Sequence, residues 1–272
     1  MPDFLTHQYF GDLVFDHLPD NIKDLISRNR DLYNIGLQGP DPLFFYKPMK
    51  SNPVSKHGSV LHKLNGAEYF GNSLTVLKNN NENIEAALAY QSGFICHYAL
   101  DSVCHSFVNR YIKQTGVTHS DIEGEFERYL MEKEGKDPVL VNPADYINMK
   151  KEYGEIISRF SMGLEPQICY DAVCSFKRYR NLFFCPNTLK RTLVYGFLKL
   201  GGVYESYRGQ VMNIEPYPNT QESDEELYRL VHDTVPVALR LIPRFVTAVE
   251  QDEPSIFLMD SALQIPFDGI SI

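Results

Sequence analysis

Within the run GFICHYALDSVCHSFVNRY, His97, Asp101 and His105 stand four residues apart. At about 100° of rotation per residue, positions i, i+4 and i+8 project from one face of a helix over two turns. The other members of the run are largely apolar and aromatic. Imidazole nitrogens and carboxylate oxygens buried along one stripe either satisfy one another as a polar network or hold a metal ion. A second pair at the same spacing, His119 and Glu123, follows in VTHSDIEGEFERY. Two antiparallel helices presenting HxxxDxxxH and HxxxE would offer five nitrogen and oxygen ligands. That is a donor set of zinc, whose catalytic sites keep a position open for water. A carboxylate in the middle of the first triple can give one oxygen to each of two ions. Iron or manganese would accept the same donors.

Further donors lie upstream. His7 falls in the first helical segment, Asp41 in the loop GPDP, and His57 and His62 in KHGSVLHKLNG. Of the last two, His62 is the better ligand, because GSVLHKLNG reads as an early helical turn facing inward, whereas His57 stands beside Lys56 at a loop exit. Pro40 and Pro42 pre-position Asp41 at low entropic cost. Phe44, Phe45 and Tyr46 either line a wall of the site or pack the loop against helices. Seven of the eight histidines precede residue 120. The expectation is therefore a site built from residues 7–123, with the C-terminal helices as scaffold.

The other polar residues have plainer readings. His17, His57 and His232 are expected as helix-end or hydrogen-bonded structural histidines. Asp121 is expected to cap its helix. Glu125, Glu127 and Glu132 should form a solvated helix face, and KRYR at 177–180 a solvated, partly stacked surface patch. Cys96 and Cys104 occupy a different stripe from the ligands and read as small buried hydrophobes.

The elements that must position these residues are helices. Apolar residues recur at spacings of three and four near 4–18, 20–29, 57–78, 82–114, 119–134, 144–162, 166–184, 187–201 and 222–250. Ser223 with Glu226 resembles a capping box, and Pro236 and Pro243 should kink the last helix. Residues 36–56 and 213–223 break the pattern and are expected as loops. Sustained alternation is scarce, and neither a repeat nor a low-complexity linker appears. The sequence thus predicts one all-α, multi-helix domain spanning residues 1–272.

Composition bounds the function. Apolar residues make up 43% and charged residues 22%, which is ordinary for a globular chain. With 26 basic and 35 acidic side chains the net charge is −9, a field that repels polyanions and argues against duplex nucleic acid as a partner. No apolar run is long enough for a transmembrane helix. Five cysteines without a CxxC pair suit reduced thiols, and the start MPDFLTHQYF has no secretory pattern, so a cytoplasmic location is expected.

His7, GPDP with Asp41, a histidine just beyond that loop, His97xxxAsp101xxxHis105 and His119xxxGlu123, in this order in a helical chain, resemble the zinc-dependent phospholipase C family, which shares its fold with zinc-dependent single-strand nucleases. The motifs cover roughly residues 1–130. The resemblance implies two or three zinc ions. Asp101 would bridge one pair, with Asp41, His62 and His97 on one metal and His7 with the N-terminal amine and carbonyl on the other. His105, His119 and Glu123 would hold the third. It also implies that Asp41 helps activate the attacking water. Secreted members open their mature chain on a tryptophan that ligates zinc; this chain contains none, and with the initiator removed Pro2 would present the amine. The expected activity is phosphodiester hydrolysis on a small phosphodiester or phospholipid headgroup. The alternatives are a single-strand nuclease and a non-catalytic helical protein with a degenerate metal site.

Overall fold

The structure is a computed structural model, describing residues 4–269 apart from Met49 and Asn219 and the side chain of Ser206. The fold is all-α, as the periodicity predicts. Among the described residues there is no strand, only an isolated antiparallel bridge between Asn65 and Pro266. No described helix is long and apolar enough to cross a membrane.

The chain opens with α1 (Phe4–His17), α2 (Asp20–Arg28) and α3 (Arg30–Gly36), makes a 3-10 turn at Asp41–Phe45, and enters α4 (Pro53–Leu61) and α5 (Gly66–Asn79). The spine follows as α6 (Ile84–Thr115), which is buried almost throughout its middle turns. Gly116, with φ of +74°, ends it in the left-handed conformation, and α7 (His119–Lys133) starts from a Thr118 cap whose hydroxyl accepts the Asp121 N–H. Next come α8 (Tyr153–Phe160), α9 (Pro166–Phe183), α10 (Thr188–Leu200) and the single turn α11 (Tyr204–Tyr207). The long α12 (Gln221–Gln251) and the short α13 (Ser255–Leu258) complete the set.

Three features depart from the sequence pattern. The segment expected as one helix over 57–78 is two, because Asn65 leaves the helix and caps α5 through its side chain, accepting the Glu68 N–H at 2.7 Å. The capping box at Ser223 does not form: α12 begins two residues earlier, and Ser223 Oγ donates to the Thr220 carbonyl instead. The helix expected over 144–162 is α-helical only from Tyr153 to Phe160, with a 3-10 turn at Pro143–Tyr146 before it.

One apolar core extends from Phe4 to Phe267, with α6 through its centre. A second, small core of Phe183, Cys185, Val194 and Val211 lies beneath α10. All five cysteines are free thiols, and burial pushes Cys96 up to about 12, which makes it a poor thiolate ligand. Helices α3 and α6 pack backbone against backbone. A Cβ on Gly36 would lie 2.2 Å from the Tyr90 carbonyl oxygen, and one on Gly93 would lie 2.2 Å from that of Tyr33. Glycine at both positions lets the two backbones touch, and this contact sets the loop after α3 directly against His97.

Candidate metal centre

Six of the donors singled out by the sequence converge on the middle of α6. His7 from α1 places its Nε2 3.3 Å from Asp101 Oδ1, and its ring stacks on His97 with centroids 4.4 Å apart. His97 Nε2 is 3.2 Å from Asp101 Oδ2, and His105 Nε2 is 3.5 Å from the same oxygen. His62, the residue closing α4, lies 3.1 Å from Asp41 Oδ1 through its Nε2. The result is two sets of possible ligand atoms, His7 with His97 and Asp101, and Asp41 with His62 and His97, each set within 4.8 Å. All six residues are buried.

Local structure explains how each arrives. Asp41 starts a 3-10 turn between two prolines, and Gly39 just before it has φ of +49°. A Cβ at Gly39 would fall 2.2 Å from His97 Cδ2, so the loop crosses the imidazole only because that side chain is missing. Asn52 caps α4 by accepting the Val54 and Ser55 N–H groups, with Pro53 in the first helical position. One turn on, His62 Nδ1 is 2.8 Å from the Gly58 carbonyl oxygen. A carbonyl only accepts, so Nδ1 carries a proton, and Nε2, which donates to Asp41 while it is protonated, is the nitrogen left for a metal.

The electrostatics are those of a cation site. Burial would push the Asp101 carboxyl up, but the charges of His97 and His105 outweigh it and hold Asp101 well below the usual carboxylate range. Burial lowers His7, reinforced by the neighbouring His97, and burial also lowers His105. His62 is raised: burial opposes this, but the bond to Asp41 and its charge prevail. A metal ion entering between His62 and Asp41 would displace that proton.

Both nitrogens of His7 and His97, both oxygens of Asp101 and Nε2 of His105 are buried without a hydrogen bond. They lie within ion-pair distance of one another but are not aligned to bond. Each such group withdrawn from water costs roughly 1–3 kcal/mol, so a folded chain that keeps them all has another partner for them. Divalent zinc fits this nitrogen and oxygen set and its burial.

The remaining predicted donors sit nearby but less tightly. His119 Nε2 is 2.6 Å from Glu123 Oε1, and the His119 ring centre is 5.6 Å from that of His105. Among the described residues this trio does not close to the spacing of the other two sets. The N-terminal amine expected at Pro2 lies outside the described residues. His57 turns away and contacts the Ser161 carbonyl at 2.6 Å. Asp121 is bound by the Thr118 hydroxyl and by Arg208. Phe45 packs on Phe176 and Tyr179 of α9, so it is a packing residue. Phe44 stays near the site, its ring 5.3 Å from that of His62.

Two expectations need correction. Glu125 and Glu127 are buried, not solvated. Glu127 accepts the Leu5 N–H at the start of α1, while Glu125 pairs with Arg128 and accepts the Tyr217 N–H. The segment after α11 folds back over this face of α7 and removes it from water. Arg180 of KRYR is likewise buried, stacked near Phe4, Phe45 and Phe176.

The sequence reading missed the C-terminal strap. Phe267 N–H donates to the Leu64 carbonyl and Asp268 N–H to that of His62, while Tyr98 Oη lies 2.8 Å from the Ile265 carbonyl oxygen. The fully buried Phe267 ring lies 6.3 Å from His97 and 6.4 Å from His62. It forms an apolar backing for both imidazoles.

The zinc-dependent phospholipase C family matches residues 6–166, more than half of the chain and all the side-chain donors discussed above. The chain belongs to that family. No curated protein and no solved structure matches it. The family match ends where α9 begins, so the C-terminal strap and α10 lie beyond it.

Proposed function

We propose that this member of the zinc-dependent phospholipase C family is a phosphodiester hydrolase acting, as one helical domain, on phospholipid headgroup esters or small analogues. The observation that supports it most is the pair of buried ligand sets meeting at His97, where the nitrogens of His7 and His97 and the oxygens of Asp101 are left without hydrogen bonds. His97 can give Nε2 to one ion only. The family resemblance puts His97 with Asp41 and His62 on one ion and would leave His7 to its neighbour, with Asp101 between the two. His105, His119 and Glu123 are the donors for a third. Zinc bound there supplies a Lewis acid and lowers the pKa of water to about 7.

The chain's own residues do the rest. The Gly58 carbonyl fixes the tautomer of His62. Asp101 keeps its negative charge among the histidines and balances incoming cations. Asp41, held in its proline-flanked turn, takes the proton of the attacking water on a carboxylate oxygen. Five free thiols suit a reducing compartment, and we place the chain in the cytoplasm.

The test is turnover of a chromogenic choline phosphodiester by zinc-loaded protein and by Asp41→Asn. The variant should lose about 10²–10⁴-fold in rate at unchanged melting temperature. Absence of turnover with zinc bound would point to a non-catalytic metal protein. Preference for single-stranded oligonucleotides would make it a nuclease.

A further inference from the structure

Helix α10 turns most of its apolar surface outward. Arg191 and Val194 are buried, and Val194 joins the small core beneath the helix. Leu189, Leu193, Phe197 and Leu200 are 73%, 54%, 71% and 87% exposed. They stand at i, i+4, i+8 and i+11, a single stripe down the helix. Leu182, near the end of α9, is exposed as well. A run of large apolar side chains on one outer face marks a contact surface.

The segment that carries this stripe is opposite in charge to the rest of the chain. Between Asp171 and Glu205 there is no acidic residue, while Lys177, Arg178, Arg180, Lys190, Arg191 and Lys199 are all basic. Of the 26 basic side chains these six leave 20 elsewhere, against all 35 acidic ones. Arg178 and Lys199 are exposed and Lys190 partly so. An apolar stripe flanked by cations, on a helix too short and too polar to span, suits the headgroup and acyl boundary of an anionic bilayer. A second copy of the chain fits less well, because a two-fold contact would set the basic segment against itself.

We propose that α10 seats the protein on an anionic lipid surface, with Leu189, Leu193, Phe197 and Leu200 entering the boundary and Arg178, Lys190 and Lys199 facing lipid phosphates. Packing through α9 links this face to the metal centre. Phe176 and Tyr179 of that helix pack on Phe45, four residues after Asp41, and Phe183 of the same helix belongs to the core under α10. The proposal goes beyond hydrolysis and does not depend on it, since binding is read without turnover.

The experiment is flotation of the zinc-loaded chain, briefly on ice, with vesicles of phosphatidylcholine alone or mixed with phosphatidylglycerol. It is repeated for Leu193→Ser/Phe197→Ser, whose exposed positions leave the fold intact, checked by an unchanged melting temperature. The native chain should float with the anionic vesicles, be released by salt, and lose about tenfold or more of its partitioning in the variant. Turnover of a soluble phosphodiester, measured separately, should be equal in both and tests the hydrolase reading alone. Equal flotation of variant and native chain would overturn the proposal. So would failure of the native chain to float with either vesicle, or a dimer or protein complex that the variant abolishes without any lipid binding.

Discussion

Asp101 and Asp224 are both carboxyls withdrawn from water, and the protein treats them in opposite ways. Asp101 is completely buried among His7, His97 and His105, which keep it ionised, yet neither of its oxygens makes a hydrogen bond. Asp224, at the start of α12, is pushed up to about 7 by burial and by the charge of Glu125. The acids around it on α7 are closed by the chain itself: Glu125 by Arg128 and the Tyr217 N–H, Glu127 by the Leu5 N–H. Buried carboxyls that find their donors within the chain, as Glu125 and Glu127 do, hold helices together. One whose charge is stabilised while its lone pairs stay unused is a place for a cation.

The sharpest way to break this contrast is Asp101→Asn, which removes the shared charge and keeps the volume. Bound zinc should fall below that of the native chain, and phosphodiester turnover should drop by at least about 100-fold. Retention of full metal content would mean that Asp101 is structural after all. Gly39→Ala tests the same centre from its second side. Its Cβ collides with the His97 ring and its φ is left-handed, so it should cost about 1–3 kcal/mol of stability and zinc affinity along with it.

On the other side of the comparison, Glu127→Ala should cost roughly 1–3 kcal/mol, because it takes the acceptor from a buried N–H. Zinc per folded chain should stay as it is. Asp224→Asn reads as a pH dependence of stability, with no change in metal content expected. The folded carboxyl titrates near 7 and the unfolded one near about 3.9. Between these values the folded state keeps a proton that the unfolded state has released. The stabilisation is complete below the unfolded value and lost as pH rises through 7. Asparagine mimics the protonated form at every pH, so thermal melts should show the variant above the native chain at pH 8, with the gap closing toward pH 5.

Local patterns carried most of the fold and the heart of the site into the sequence. The i, i+4, i+8 stripe of α6 needs only helical periodicity to bring His97, Asp101 and His105 to one face, and the prolines around Asp41 announce a fixed turn. What stayed hidden depends on segments distant in the chain. Glu125 and Glu127 look like a solvated face until residues after α11 cover them. Phe267 has no local mark of function, and its place behind His62 and His97 follows from backbone bonds to Leu64 and His62, some two hundred residues earlier. The helix expected over 57–78 splits because Asn65 is engaged both as a cap and in the bridge to Pro266.

The most direct measurement is anomalous X-ray scattering at the zinc edge from crystals of the metal-loaded chain. The account predicts at least two ions, one among Asp41, His62 and His97 and a neighbour beside His7, with Asp101 touching both. Fewer than one ion per chain, or peaks away from these side chains, would contradict it.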